Sequence, residues 1–229
     1  MNNNTINITY DMLIWIAFII TLISQLSVSI AYSKYKKKLN NKDLTGYDTA
    51  RKILDKNGLK DIMILETTGN LTDHYDPTKK VIKLSTDIYH GSSIASLAVA
   101  AHECGHAIQD KESYKPMKIR SKIIPTVNLC TRLGYLAIAI GAFCSYKLIE
   151  IGIILLLTLL AFQIITLPVE FNASKRALKE LKKQKLLDKD DISSARKMLV
   201  AAAFTYVASM LSTLLNILRY ALIFMDRDK

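Results

Sequence analysis

Cysteine, proline, glycine and tryptophan are all scarce in this chain, at three, four, eight and one among 229 residues. Cys104, Cys130 and Cys144 are odd in number and form no C-x-x-C pair, which argues against a disulfide framework and for a reducing setting. There is no internal repeat and no low-complexity linker. Acidic residues are outnumbered by basic ones, 20 to 31. The basic side chains form no separate patch of the kind that grips nucleic acid; they flank apolar runs. The N-terminal stretch also lacks the basic start and small-residue cleavage site of a secretory signal.

What the chain has instead is apolar length. Half of it is hydrophobic although the formal net charge is +11, so apolar and charged residues must be segregated, as in an integral membrane protein. Residues 1–32 read as an uncleaved membrane anchor, with a polar start and an apolar run over 12–32. Lys34, Lys36, Lys37 and Lys38 follow at once, so the positive-inside rule puts the next segment in the cytoplasm. Residues 33–122 form the first polar part and residues 123–167 an apolar hairpin, with its turn at Lys147-Leu-Ile-Glu150. Residues 168–197 are charged again, and residues 198–229 carry a fourth apolar stretch, read as a further span or else as a buried or interfacial helix. The two charged segments hold twenty-six of the thirty-one basic residues, which predicts that both lie on the cytoplasmic side of the cell membrane.

Within the first polar part, residues 45–57 read as an amphipathic helix with Thr45 as N-cap and Gly58 closing it. Residues 61–66 (D-I-M-I-L-E) and 80–85 (K-V-I-K-L-S) are β-like, with a turn-rich stretch over 67–78 between them. His90 to Ser93 then open a helix that carries His102-Glu-Cys-Gly-His106. On a helix, residues i and i+4 share a face, so His102 and His106 can both aim a ring nitrogen at one metal ion. Glu103 is set beside the first histidine, where it can hold a water and take its proton. The plain alternative is a buried helix with two satisfied histidines. Cys104 points away from their shared face and reads as a packing residue.

A catalytic zinc needs a third protein ligand. The three-histidine metzincin pattern is excluded, because residues 109–112 are Gln-Asp-Lys-Glu. His74 and His90 both precede the motif, which leaves a downstream carboxylate, and Glu170 in Leu167-Pro-Val-Glu-Phe-Asn-Ala-Ser-Lys-Arg-Ala177 stands out. From the residues alone, Glu170 is either a ligand or a helix-start glutamate favoured by the macrodipole.

H-E-C-G-H-A-I-Q followed by P-V-E-F-N-A-S-K-R-A resembles the bacterial neutral zinc metallopeptidases of the YugP type, as do T-D-H-Y-D-P and the L-S before the motif helix. The likeness extends over roughly the whole chain. It is also similar, more remotely, to the membrane gluzincins that include the CAAX prenyl protease and a heat-shock membrane protease. The resemblance implies a membrane zinc peptidase in which Glu170 is the third ligand. Those relatives place an aspartate four residues after that glutamate, in E-x-x-x-D, where it orients a ligand histidine. Here Ser174 stands in its place, so Ser174, Asn172 or Asp110 is expected to take over the orienting role.

Other residues have two readings. His74 or Tyr75 is either a donor to the tetrahedral oxyanion or part of an ordinary T-D-H-Y-D turn. His90 reads as a helix-start residue, and Arg176 as either a substrate-carboxylate partner or a solvated helix residue. The expectation is a mainly α, integral membrane helical protein with a small β-hairpin or strand pair beside an H-E-x-x-H helix. It acts as a Zn2+-dependent endopeptidase on peptide or protein substrates, with the lipid bilayer as its other partner and no nucleic acid. Its rival is a membrane scaffold that keeps zinc structurally, and Glu103 separates the two: a purely structural site has no use for an acid–base residue.

Overall fold

The computed structural model describes residues 3–69 and 72–227, without the side chains of 3–9 and 224–227. The turn stretch expected over 67–78 therefore includes two residues, 70 and 71, outside the described ones. Among the described residues, seven helices and three strands follow in the order α1 (Asn3–Lys36), α2 (Gly46–Lys56), β1 (Met63–Thr67), β2 (His74–Asp76), β3 (Val81–Ser85), α3 (Thr86–Tyr89), α4 (Ile94–Lys111), α5 (Lys115–Cys144), α6 (Tyr146–Lys183) and α7 (Lys189–Arg227). The protein is mainly α, and four of these helices (α1, α5, α6 and α7) are long and apolar enough to cross a membrane.

The chain divides into two compact units. One comprises residues up to Gln25, Ile119–Leu167, and the residues from Phe204 onward. Its helices turn large apolar side chains outward, among them Trp15, Phe18, Leu136, Ile154 and Leu157. Such a surface is costly in water and ordinary in hydrocarbon. Contacts inside this unit follow the membrane pattern of small residues and side-chain hydrogen bonds. α5 and α6 meet at Gly134 and Gly152, where a Cβ on either glycine would touch the other's main chain. The Gln163 amide donates to the Ser209 hydroxyl at 3.1 Å. The turn between α5 and α6 falls at Ser145, before the expected position, so Lys147 to Glu150 already belong to the first turns of α6.

The second unit holds Leu26–Lys118 and Pro168–Ala203, and with them all the candidate site residues. α2 is capped as its sequence predicts: Thr45 and Asp48 exchange capping-box hydrogen bonds, and Gly58 ends the helix at φ +67°. Its buried face (Ala50, Ile53, Leu54) packs on α4. Ser93 is the N-cap of α4, its hydroxyl accepting from the Ser96 N–H. α4 is buried nearly all round, with alanines at 95, 98, 100, 101 and 107 that let neighbouring elements come close.

The strands at residues 63–67 and 81–85 form the expected pair, but they run parallel, Met63 to Thr67 against Val81 to Ser85. A parallel pair needs a connection of about a dozen residues, and this one contains a third strand. β2 returns antiparallel to β3 on its other side, so the hairpin is made by β2 and β3 and the sheet order is β1-β3-β2. β3 is central and almost wholly buried, whereas β1 is an exposed edge. His90 corrects the expectation of a helix start: it caps the C-terminus of α3 and pairs with Glu66 at 3.2 Å.

One boundary differs for a reason that matters to the site. Residues 168–183 are not a new helix; α6 runs unbroken through Pro168 to Lys183. Proline denies a main-chain N–H to the carbonyl four residues earlier and is usually read as a helix start or break. Glu170 consequently sits inside a long helix, which removes the helix-start reading of this residue.

Candidate metal centre

α4 and α6 touch at the motif. A Cβ built on Gly105 would lie 2.5 Å from the Ala173 carbonyl oxygen and 3.1 Å from its Cα, so only glycine permits this approach. The α6 face turned toward α4 repeats at helical spacing: Glu170, Ala173, Ser174, Ala177 and Leu181. Four of these are buried and Ser174 is half-buried.

This approach brings three ligand-type groups together. One ligand atom from each of His102, His106 and Glu170 lies within 4.8 Å of the others. The Glu170 Oε2 is 3.2 Å from the His102 Nε2 and 3.5 Å from the His106 Nε2, and the two rings stand edge to face with centroids 4.8 Å apart. The His106 and Glu170 side chains are 9% and 3% exposed and that of His102 is 16%, so the cluster is open mainly along the His102 edge. Two imidazole nitrogens and one carboxylate oxygen are the donor set of catalytic zinc, and a carboxylate this deeply buried calls for a cation to face it. The residues fit the metal.

Both imidazoles are held from behind. The Ser174 hydroxyl lies 3.2 Å from the His102 Nδ1, so Ser174 is the one of the three candidates that reaches a ring. Gln109 takes the other ring: its Oε1 is 3.0 Å from the His106 Nδ1. Asn172 and Asp110, the other candidates for orienting a histidine, contact neither ring. Asn172 accepts from the Gln109 amide at 3.0 Å. Asp110 accepts from the Tyr75 hydroxyl at 2.8 Å and pairs with Lys80.

Glu103 is buried beside the cluster. Burial pushes its carboxyl up to about 7; the nearby His102 opposes this rise, and Glu170 and Asp73 reinforce it. The main chain of Tyr75 on β2 is the smallest influence on this carboxyl and pulls it slightly down. β2 is itself pinned by Asp73, whose carboxylate accepts from the Ser85 N–H at 2.8 Å and from the Ser85 hydroxyl at 3.1 Å. Burial raises the Asp73 carboxyl, against the pull of those Ser85 bonds.

The remaining candidates lie elsewhere. The Tyr75 hydroxyl turns to Asp110 and not to the histidines, and burial together with that bond pushes the phenol upward. His74 projects from the opposite face of β2, exposed, with its Nδ1 2.7 Å from the Thr72 carbonyl. The structure therefore does not bring His74 into the cluster. Arg176 pairs with Glu112 at 2.7 Å and donates from Nε to Asn172 at 2.6 Å. Cys104 is fully buried against α2, as a packing residue should be, and burial pushes its thiol up. Gln109, Gly105 and Asp73 carry positions that the sequence reading assigned to no one. For Gln109 a signal exists: it lies three residues after His106 and so shares that face of the helix.

A helical membrane protein with a buried site of two histidines and one carboxylate on adjoining helices is the class that fold and geometry define. The chain belongs to a family described as "Putative neutral zinc metallopeptidase", whose model matches residues 10–225, and zinc is the cofactor that family membership implies. It is 43% identical over 208 residues to "Putative membrane protease YugP" of Bacillus subtilis (strain 168), covering 90% of this chain and 92% of that protein. No solved structure matches it.

Proposed function

We propose that the protein is a multi-pass membrane zinc endopeptidase of the gluzincin type, with His102, His106 and Glu170 as zinc ligands, Glu103 as acid–base residue, and its catalytic part in the cytoplasm. The observation that carries this reading is the convergence, from separate helices, of the three ligand atoms within 4.8 Å, with a buried glutamate next to the first histidine. When bound, zinc supplies a Lewis acid that polarises the scissile carbonyl and makes water nucleophilic near neutral pH.

The chain's own residues supply the rest. Glu103 holds the attacking water, takes its proton at a carboxylate oxygen and passes it to the leaving amine. A carboxyl whose proton affinity lies near neutrality suits both halves of that transfer. β2 is an edge strand of the sheet, in the order β1-β3-β2, and packs beside α4. An extended peptide can add to that edge by main-chain hydrogen bonds, with its scissile bond beside the histidines. The exposed His74 is assigned no step.

The cytoplasmic assignment is supported by the charge asymmetry about the four apolar helices. A structural zinc scaffold would leave the buried, ionisable Glu103 without a use. The test is zinc per chain and peptide hydrolysis, measured on wild type, Glu170→Ala and Glu103→Gln. Zinc near one per chain in wild type and Glu103→Gln, lost in Glu170→Ala, with hydrolysis only in wild type, is the expected result. Full zinc in Glu170→Ala removes that ligand, and unchanged turnover in Glu103→Gln removes the mechanism.

A further inference from the structure

Behind His106 runs a chain of hydrogen bonds whose direction can be read without ambiguity. Gln109 is completely buried, and its amide nitrogen lies 2.8 Å from the Val169 carbonyl oxygen. A carbonyl only accepts, so the group facing it must be the amide NH2. The same NH2 lies 3.0 Å from the Asn172 Oδ1, and that oxygen is also 2.6 Å from the Arg176 Nε. A guanidinium only donates, so the Asn172 group between them must be its oxygen. Both ends therefore agree. The Gln109 oxygen is turned to His106, 3.0 Å from Nδ1, and it can only accept there.

We propose that Gln109 is a positioning residue, locked in one orientation by Val169 and by Asn172 with Arg176, that keeps the proton of His106 on Nδ1 and presents its Nε2 lone pair to the metal. Either amide reversed would place NH2 against NH2 or oxygen against oxygen in a buried site, a state with unsatisfied polar groups. The tautomer of His106 is thus set by the protein before a metal arrives. Arg176, at the outer end of the chain, is a positioning residue for the same nitrogen although it touches neither histidine. Its ion pair with the more exposed Glu112 is a separate contact, made through Nη2 and not through Nε.

This inference rests on zinc being held by His102, His106 and Glu170. It is tested on the full-length protein in detergent, by chelator competition for zinc and by the visible absorption bands of the cobalt-substituted form. Gln109→Met keeps length and volume but removes both the acceptor and the donors. It should weaken zinc binding by about 10- to 100-fold, the usual effect of losing a histidine's outer partner. The cobalt bands should also shift, as His106 loses its fixed orientation. Arg176→Met should weaken zinc in the same direction by a smaller factor, whereas Glu112→Gln should leave it unchanged.

Wild-type zinc affinity and cobalt bands in Gln109→Met would overturn the proposal. So would equal effects of Arg176→Met and Glu112→Gln, which would show that only the surface ion pair matters. If Gln109→Met does not fold, the Arg176 and Glu112 pair still decides. Failure of the underlying zinc assignment reads differently, as wild type without zinc or Glu170→Ala with full zinc.

Discussion

Replacing Gly105 by alanine adds one methyl group at the point where α4 packs against Ala173 of α6. That methyl would sit 2.5 Å from the Ala173 carbonyl oxygen and 3.1 Å from the Ala173 Cα. The obstacle is backbone, so no side-chain rotation relieves it. Carbon and oxygen in ordinary contact stand about 3.4 Å apart or more, so the helices must separate by about 1 Å. Glu170 lies one helical turn before Ser174 on the same face as Ala173, and it moves with it. Metal sites tolerate errors of about 0.2 Å in ligand position, so this displacement disturbs the proposed zinc site directly.

Overpacking of this kind costs about 1–3 kcal/mol. At 1.4 kcal/mol per factor of ten, that is a loss of about 5- to 150-fold in zinc affinity if the zinc-bound state alone requires the close approach. The assay is chelator competition on Gly105→Ala in detergent, paired with thermal melting of the metal-free protein. Weakened zinc is expected, and any fall in the apoprotein melt measures the share of the cost borne by the fold itself. Wild-type zinc affinity together with an unchanged melt would refute the argument that this glycine sets the distance between the two ligand-bearing helices.

Two other predictions test different parts of the reading. Glu103 binds its proton more tightly folded than unfolded, about 7 against an ordinary 4.5. The folded apoprotein therefore holds the extra proton, and its stability falls as pH rises through that window, by on the order of 3 kcal/mol from this group. The melting temperature of wild-type apoprotein should drop relative to Glu103→Gln between those pH values; parallel profiles would show that burial does not perturb Glu103. The native cysteines test the topology: Cys144 is exposed next to the turn between α5 and α6, and Cys104 is buried. A membrane-impermeant maleimide applied to intact cells should label Cys144 and not Cys104, and Cys144→Ser should abolish the signal. Labelling of Cys144 only after the cells are opened would place that turn, and by the same count the catalytic part, on the opposite sides from those proposed.

Elements that depend on near neighbours in sequence were readable from it. The Thr45 cap with Asp48, Gly58 after α2, Ser93 before α4 and the shared face of His102 and His106 are all decided within one helical turn. Apolar length alone marked the four long helices. The three strands were harder, because pairing partners far apart in sequence leave no local mark. β2 is three residues inside a stretch that reads as turn, and only its pairing with β3 and its packing on α4 make it a strand of consequence.

Pro168 misled for the same reason. Locally it signals a helix start or break, yet α6 continues through it, with Val169, Ala173 and Ala177 buried in the turns just beyond. That Ser174, Asn172 or Asp110 could orient a histidine was legible, but which of them reaches His102 was not. Gln109 had only its spacing from His106 to mark it; its fixed orientation exists because α6 brings Val169 and Asn172 to it from sixty residues away and beyond. By itself, then, the sequence determined the apolar helices, the caps and the histidine pair, since each is set by spacing along one segment. The tertiary structure decided which carboxylate joins the histidines and which side chains hold them, because those depend on how closely two helices approach, and here one missing Cβ at Gly105 sets that approach.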